Sequence, residues 1–534
     1  MNAHERERLF NFVMIAAAFV LLLMPERNYV PIWDGRIFAN CAMGAATDGL
    51  SLESLRCAGH PSQGYALLLA LPQFLRLGDI TLLHLTNVLL GILALASIRV
   101  VLGRVFPARE HARALDGLTV VCAVHPVLLS TLVQPNVDFG VYVFFFAALA
   151  ALLKQAWRWV VLAGVFLCFS KETGVLAYGA MIGLAAAFAM RRDTGPLIDR
   201  LKRLQPRAMT LFPLVLFGVY VLWWNATHTS SAIWRHQWQQ GTMDGFKWFD
   251  LSEPVFLSYA AGLFVLGFGW VLSAIIASDA LVGGVRLARR QPTRTVAGAD
   301  TPVLWYLTTL TVVLTYVLTA FRTWSNLRYF ALLYPLFILL AFAALLRLGV
   351  GPRWRGVVIA SVAALFVLAS FRSVDPVSRR VYGTFSVGQR DMYRMASITG
   401  EYRGPGRDQL VYNLEFTGFH TVQNALFRSM HPNDSTAYAT ARSVRWNIWS
   451  QLDERNWRRT MLRDGVIVPR YWDDEDLLST PAPPPVVWWL DFSYRPDADS
   501  SRERLSARYR QTAVLRTTVA GHTLIARKLV RIAR

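Results

Sequence analysis

Charged residues that could perform chemistry lie in short polar segments between long apolar runs of the chain. A carboxylate in such a position can take a proton from a hydroxyl group, and a lysine or arginine can hold an anion. If these segments meet at one membrane face, their side chains form a cavity that binds an anionic group and activates a hydroxyl. The candidates are Asp34, His60, Asp138, Lys171, Arg322 and Arg328.

The composition indicates that the apolar runs cross a membrane. The chain has 534 residues, of which 54% are hydrophobic and 17% charged, and its mean hydropathy is +0.34. Soluble proteins carry about 25% charged residues. The 13% of aromatic residues exclude a disordered chain, and the four cysteines are too few for a disulfide scaffold. These numbers predict a polytopic membrane protein, although the net charge of +20 alone would indicate a nucleic-acid-binding protein.

Eleven apolar runs approach the length of about 20 residues that crosses a bilayer. We therefore predict a polytopic α-helical transmembrane domain over residues 1–371, with a long first outer loop at 25–79. In that loop the apolar stretch 64–77 is too short to cross a bilayer and contains Pro72, which predicts an interfacial or re-entrant helix. The predicted spans are 9–24, 80–98, 117–134, 139–153, 157–170, 174–190, 208–224, 255–285, 302–321, 329–346 and 356–371.

The positions of lysine and arginine predict how the spans are oriented. With a cytoplasmic N-terminus, the cytoplasmic segments hold 21 of these residues and the outer segments of the membrane domain hold nine. This difference obeys the positive-inside rule and explains much of the positive charge without a nucleic-acid partner. The 50 arginines against five lysines are typical of a GC-rich bacterial genome. We expect an integral protein of the bacterial inner membrane with a periplasmic C-terminal domain.

The segment that follows the last span, residues 372–534, has a different composition from the rest. It carries 25 Lys and Arg residues and 17 Asp and Glu residues. Alternating apolar and polar residues at 409–419 and 486–494 predict strands, and residues 513–529 predict a hairpin that turns at Gly521. We expect a small soluble α/β domain here.

The order of the polar motifs resembles that of the polytopic GT-C glycosyltransferases, the superfamily of protein O-mannosyltransferases and bacterial aminoarabinose transferases. The resemblance covers roughly residues 9–347. The chain departs from the common pattern at Gly35, Ser62 and Glu172, where many members have an acidic residue, a proline and a glycine. The positions that match are Asp34, His60-Pro61, Asp138 in PNVDFGVYVFFFAALAAL, Lys171 in FSKETG, Arg328-Tyr329 and Tyr334-Pro335.

The resemblance implies transfer of a sugar from a dolichyl- or undecaprenyl-phosphate donor to an acceptor hydroxyl on the outer face, with inversion. A carboxylate would take the proton of the acceptor, and positive charge would stabilise the departing lipid phosphate. Asp34 is the implied base, and Asp138 is the second candidate or orients the acceptor or the base. The implied substrate-binding residues are Lys171 and Arg328 with Arg322 in reserve, together with His60, Glu172 and Tyr329.

The resemblance implies no resident cofactor, because the lipid-linked sugar is a co-substrate. Asp34, His60 and Asp138 could bind a divalent ion, but a donor without a pyrophosphate has less need of one, so we expect no metal. The expected partners are the polyprenyl-phosphate sugar, membrane lipid, and an acceptor that is a glycan, a glycolipid or a protein.

Two other classes of membrane protein stay open as alternatives. A transporter or flippase would carry ionisable residues inside its spans. Such polar residues are few here, with His84, Asn87 and Asp279 as the main exceptions. A ligase or polymerase of lipid-linked glycans also has many spans, although a large C-terminal soluble segment fits a transferase better.

Two of the four cysteines, Cys41 and Cys57, lie near each other in the first outer loop. In an oxidising compartment they could form a disulfide that fixes this loop. The alternative is a pair of buried free thiols.

The assignment of Asp34 as the base predicts the result of one substitution. Asp34→Asn keeps the size of the side chain but removes the group that accepts the proton, so sugar transfer should be abolished while expression and membrane insertion are unchanged. Transfer assays on purified membranes, with protein amounts matched by immunoblot, measure this. Full activity of the variant would rule out the assignment.

Overall fold

The structure is a computed structural model that describes most of the helical region and part of the C-terminal region. The described residues are 3–24, 38–39, 41–42, 45–46, 49–57, 60–75, 80–133, 135–190, 206–227, 264, 269–291, 296, 298–320, 327–374, 381–382, 437–440, 471–473, 481, 486–492, 503–519 and 522–532.

The helical region consists of apolar helices joined by short turns. They are α1 (Ala3–Leu23), α2 (Gln63–Ala70), α3 (Ile80–Val105), α4 (Ala112–Ala123), α5 (Pro126–Val133), α6 (Val137–Leu153), α7 (Trp157–Cys168), α8 (Glu172–Ala189), α9 (Phe212–Thr227), α10 (Gly269–Ala288), α11 (Thr301–Ala320), α12 (Leu333–Arg347) and α13 (Pro352–Arg372). Short 3₁₀ turns occur at Leu71–Phe74, Arg109–His111, Ala208–Leu211 and Leu327–Phe330.

Among the described residues, helices occur at every predicted apolar run, but one run is divided into two helices. The run 117–134 is broken between α4 and α5 at Val124 and His125, directly before Pro126. Proline disfavours helical backbone at the preceding residue and lacks the N–H that an α-helix needs, which explains the break. The stretch predicted as an interfacial or re-entrant helix forms α2 and the 3₁₀ turn Leu71–Phe74.

Five helices among the described residues are long and apolar enough to cross a membrane. The number of eleven spans therefore stays a prediction. The five are Thr81–Val105, Glu172–Ala189, Ala208–Thr227, Gly269–Ala288 and Thr301–Thr319.

Helix α6 lies at the centre of the bundle. Of its 17 residues, 16 are buried. A helix that is apolar on every side is stable only when protein or lipid surrounds it completely. The one carboxylate of α6, Asp138, is in its first turn, so this central helix carries a charged side chain at its N-terminal end only.

Helix α3 shows how the outside of the bundle is built. Leu85, Leu89 and Leu93 are between 43% and 59% exposed, and they follow each other at every fourth position along one side of the helix. Such a stripe of large apolar side chains would be unfavourable in water. It is the surface that lipid chains cover in a membrane protein.

Ion pairs join helices at the end of the bundle opposite to Asp138. Arg99 Nε donates a hydrogen bond to Asp116 Oδ1 at 2.8 Å, and Asn11 Nδ2 donates to Asp116 Oδ2 at 3.0 Å. Arg347, the last residue of α12, lies 2.6 Å from Asp279 Oδ2. Asp279 is thus the partner of an arginine on a neighbouring helix.

The C-terminal region contains seven described strands, and five of them form one sheet. The strands are β1 (Ser373–Val374), β2 (Val381–Tyr382), β3 (Ala437–Thr440), β4 (Tyr471–Asp473), β5 (Val486–Phe492), β6 (Tyr509–Val519) and β7 (His522–Arg531). The order in the sheet is β4-β3-β5-β7-β6, with β3 parallel to its neighbours and the other pairs antiparallel.

Two of the predicted β elements are present in this sheet. The strand predicted at 486–494 is confirmed as β5, and the predicted hairpin is formed by β6 and β7, which pair from Val519 and His522 outward. The strand predicted at 409–419 lies outside the described residues.

A close approach at Gly174 fixes the first turn of α8 against the end of α7. A Cβ atom at this position would lie 2.1 Å from the carbonyl oxygen of Leu167. Because that oxygen belongs to the backbone, no side-chain rotation can relieve the contact. The glycine therefore fixes where the residues just before it, Lys171 and Glu172, are held.

Gly174→Ala should destabilise the protein, because overpacking against rigid backbone costs about 1–3 kcal/mol or more. The measurement is the apparent melting temperature in detergent, which should fall. Gly179→Ala is the matched control on the same helix, because no atom lies within 4 Å of a Cβ placed there. Alanine also favours a helix by about 1 kcal/mol over glycine, so the control should melt at the same temperature or higher. Equal melting temperatures for the two variants would contradict the close approach.

Candidate active site

Asp138 is held in the first turn of the central helix α6. Asn136 caps this helix, and its side-chain oxygen accepts a hydrogen bond of 3.0 Å from the backbone N–H of Asp138. A helix N-terminus favours a negative charge in its first turn. The Asp138 side chain is only 4% exposed, so its charge needs partners within the protein.

Lys171 supplies the first partner. It is the N-cap residue of α8, where its backbone is extended, and its side chain is 8% exposed. The ammonium group donates a hydrogen bond to Asp138 Oδ1 at 2.8 Å. An ammonium carries three N–H groups, and in the described part of the chain Asp138 is the acceptor of one of them.

Arg328 supplies the second partner. It lies in the 3₁₀ turn Leu327–Phe330 that precedes α12, and its side chain is 10% exposed. Its Nε atom is 3.1 Å from Asp138 Oδ2, an ion pair that lacks the alignment of a hydrogen bond. One carboxylate thus faces two cations. We call Asp138, Lys171 and Arg328 the cationic cluster, because their formal charges sum to +1.

The charge of Lys171 is maintained despite its burial. Burial alone would lower the pKa of Lys171, and the nearby Arg328 acts in the same direction. The Asp138 carboxylate and Tyr329 act in the opposite direction and together outweigh both effects, so the pKa of Lys171 lies above its usual value. Lys171 is therefore protonated at neutral pH, and the cationic cluster keeps its net positive charge.

The ring of Tyr329 lies beside both cations. Lys171 Nζ is 4.1 Å from the ring centroid, and the Arg328 guanidinium carbon is 5.4 Å from it. Both distances allow a cation–π contact. Tyr329 therefore helps to hold the two cations near each other in spite of their repulsion.

A second pair of polar residues lies directly beside the cluster in sequence. His60 Nδ1 is 3.1 Å from Oε2 of Glu172, the residue that follows Lys171. The side chains of His60 and Glu172 are 25% and 22% exposed, so a ligand can reach this pair more easily than the cluster. Glu172 begins α8, where the helix N-terminus favours its carboxylate.

Arg56 and Trp224 form a third contact at this end of the bundle. The Arg56 guanidinium carbon lies 4.1 Å above the ring of Trp224, in the last turn of α9. Burial lowers the pKa of Arg56, while Tyr220 and Glu172 oppose this shift. One turn before Trp224, the hydroxyl of Tyr220 accepts a hydrogen bond of 2.6 Å from Gln63.

Covalent and hydrogen bonds fix the loop segment that carries Arg56 and His60. Cys41 and Cys57 are joined by a disulfide in the structure. The backbone N–H of Cys57 donates to Ser62 Oγ at 2.7 Å, and this hydroxyl donates to the carbonyl of Leu55 at 3.0 Å. The segment is therefore tied at both ends before α2 begins.

Two of the predicted site residues, Asp34 and Arg322, lie outside the described residues. The structure brings the others together in the contacts given above: Asp138, Lys171, Arg328, Tyr329, His60 and Glu172. Within the described ranges, no three His, Cys, Asp or Glu side chains are close enough to hold a metal ion. Asp34, one of the three residues that could bind such an ion, lies outside these ranges.

The sequence alone did not single out Arg56, Trp224 or Tyr220. Arg56 is one of nine basic residues in the predicted outer segments. What distinguishes Arg56 in the sequence is its position next to Cys57, in a loop that a disulfide would hold in place. Trp224 lies far along the chain at the end of another apolar run, and no local pattern connects it to Arg56.

Polar residues inside the helices serve contacts between them. Asn87 Oδ1 accepts a hydrogen bond of 2.8 Å from the Tyr65 hydroxyl, and its Nδ2 donates to the carbonyl of Leu132 at 2.9 Å. Both polar groups of this buried amide are thus used in packing α2, α3 and α5 together.

Solved structures share the fold of the chain, whereas no protein-family model and no curated protein sequence matches it significantly. ArnT from Cupriavidus metallidurans bound to undecaprenyl phosphate is 14% identical, with a TM-score of 0.51 over 96% of this chain and 97% of that chain. The apo state of the same protein is 13% identical, with a TM-score of 0.52 and the same coverage. ArnT is an aminoarabinose transferase of the GT-C type. The predicted resemblance is confirmed at the level of the fold: the chain shares the fold of ArnT, and its long apolar helices support an integral membrane protein.

Proposed function

We propose that this protein transfers a sugar from a polyprenyl-phosphate donor to an acceptor hydroxyl at the outer face of a bacterial inner membrane. The observation that carries the proposal is the cationic cluster, which keeps a net positive charge in a buried position at one end of the bundle. The fold supports the proposal, because the ArnT structure that shares it is bound to undecaprenyl phosphate.

A lipid phosphate suits the cationic cluster in charge and hydrogen bonding. Attraction between charges is stronger in a buried site than in water, so a net charge of +1 there favours an anion. Lys171 and Arg328 would donate hydrogen bonds to the phosphate oxygens. Asp138 already contacts both cations, so we propose that it positions Lys171 and Arg328. The role of the base stays with Asp34.

The proposed reaction is a single displacement at the anomeric carbon. The acceptor oxygen forms the new bond to this carbon while the bond from the carbon to the phosphate oxygen breaks, and the electron pair leaves with the lipid phosphate. The acceptor proton passes to the carboxylate of Asp34. Attack from the side opposite to the phosphate inverts the anomeric centre. The cationic cluster stabilises the charge that develops on the phosphate.

The sugar of the donor would lie between the phosphate and the acceptor. The His60–Glu172 pair is adjacent to Lys171 in sequence and is partly exposed, so it can hydrogen-bond sugar hydroxyls. Glu172 also interacts electrostatically with Arg56, which stacks on Trp224. We assign these four residues to the donor sugar.

The two arginines that flank α12 test the role of the cationic cluster. Arg328 lies before this helix and Arg347 ends it, and each forms an ion pair with an aspartate at its own end of the bundle. Arg328→Gln should lower the turnover of the polyprenyl-phosphate sugar about 10²–10³-fold, because one donor to the departing phosphate is lost. Arg347→Gln should stay within about threefold of the wild type.

Melting temperatures of both variants show whether either substitution acts through stability. Equal loss of activity in the two variants, with equal melting temperatures, would contradict a phosphate site at the cluster. So would full activity of Arg328→Gln.

Mass spectrometry of cells that lack the gene tests the reaction itself. Surface glycans and lipid-linked sugars are compared between deletion and wild-type cells. The proposal predicts that one sugar disappears from a surface polymer, glycolipid or protein while its polyprenyl-phosphate donor accumulates. An unchanged surface with unchanged donor levels would reject the proposal.

A further inference from the structure

A cavity of about 510 Å³ lies in the C-terminal region, between one face of the sheet and a short helical turn at 503–506. Its volume falls within the range of small-molecule sites, about 300–1,000 Å³. The polar and aromatic residues that line it are Trp489, Glu503, Ser506, Tyr509, Gln511 and Arg527.

The strand register brings these residues to one face of the sheet. Trp489 on β5 is directly opposite Arg527 on β7, and Gln511 on β6 is opposite Leu529 on β7. Residues two apart on a strand share a face, so Arg527 and Leu529 lie on the same face of β7. Their cross-strand partners, Trp489 and Gln511, therefore lie on that face of the sheet as well. Across the strands, Arg527 Nη1 donates a hydrogen bond of 2.9 Å to Gln511 Oε1.

The helical turn covers this face and leaves the cavity beneath it. Leu505 of the turn and Tyr509 at the start of β6 are only 1% and 2% exposed, so the turn packs closely against the sheet. The backbone N–H of Arg508 donates to the carbonyl of Leu505, and the backbone N–H of Ile532 donates to that of Arg508. Glu503 and Ser506 are exposed residues of the same turn and line the mouth of the cavity.

One polar group in the wall of the cavity lacks a partner. Trp489 is completely buried, and its indole N–H has no hydrogen-bond acceptor in the described part of the chain. A buried donor without an acceptor is unfavourable by roughly 1–3 kcal/mol. Because Trp489 has no exposed surface, its ring supports the wall of the cavity, and a ligand in the cavity does not reach its N–H.

The lining fits a sugar better than an apolar molecule or a simple anion. The cavity offers a guanidinium from Arg527, a carboxylate from Glu503, an amide from Gln511 and a hydroxyl from Ser506. Sugar hydroxyls both donate and accept hydrogen bonds, so they need such a mixture. The carboxylate at the mouth disfavours a free phosphate.

We propose that this cavity binds one saccharide unit of the acceptor, so that the C-terminal region recognises the molecule that receives the sugar. The inference rests on the proposed transferase function, because only then is an acceptor needed. The donor sugar is assigned to residues of the helical region, which leaves the acceptor as the saccharide for this second site.

Saturation-transfer NMR on the full-length protein in nanodiscs tests the binding directly. The probes are methyl glycosides of glucose, galactose, mannose, heptose and N-acetylglucosamine. At least one should receive saturation from the wild type. Glu503→Gln, an exposed change, should raise the dissociation constant about three- to tenfold without affecting the fold.

Arg527→Gln and Arg510→Gln form a matched pair. Arg510 is exposed on the same strand as Gln511 and does not line the cavity, so its variant should bind like the wild type. Arg527→Gln should weaken binding about tenfold or more. Absence of saturation transfer from the wild type to every glycoside, or equal binding by the two variants, would overturn the proposal.

Transfer kinetics separate this inference from the proposed function. Arg527→Gln should raise the KM for the acceptor and leave the KM for the polyprenyl-phosphate sugar unchanged. Transfer with an unchanged acceptor KM would reject the acceptor site and leave the transferase function standing. If the protein binds a glycoside but never turns over a lipid-linked sugar, both the transferase function and the role of the cavity as an acceptor site are rejected. The cavity would then be a sugar-binding site only.

Discussion

The carboxylate of Asp138 is the interaction on which the arrangement of this end of the bundle depends. It faces Lys171 and Arg328, which come from two later and widely separated parts of the chain. Without it, two cations of low exposure would repel each other without compensation, and breaking a buried ion pair costs about 3–5 kcal/mol. With it, the starts of α6, α8 and α12 are joined, and one positive charge remains for a ligand.

The helical fold gives this interaction its geometry. The central helix α6 is buried along nearly its whole length, so Asp138 in its first turn cannot move to solvent. Gly174 allows α8 to begin against the end of α7, which fixes Lys171. The 3₁₀ turn before α12 carries Arg328 and Tyr329, whose ring contacts both cations. These contacts hold the polar residues at this end of the bundle in defined positions, as a site for charged substrates requires.

The sequence was sufficient to predict that Asp138, Lys171 and Arg328 assemble, because each lies at the end of an apolar run on one predicted face of the membrane. It could not predict which carboxylate pairs with which cation, since that depends on helix packing between distant segments. The contact of Arg56 with Trp224 and the break before Pro126 show the same limit: hydrophobicity predicts a span of suitable length, whereas neighbouring helices and single prolines determine its shape.

The position of the lipid phosphate is the most direct measurement on this arrangement. Electron cryo-microscopy of the full-length protein in nanodiscs with added undecaprenyl phosphate would locate it. The phosphate should lie within about 3 Å of the Lys171 ammonium and the Arg328 guanidinium, the usual distance of a charge-assisted hydrogen bond. Asp138 should still contact both cations. A phosphate bound elsewhere, with the three side chains of the cationic cluster unchanged and without a ligand, would contradict a phosphate-binding role for the cluster.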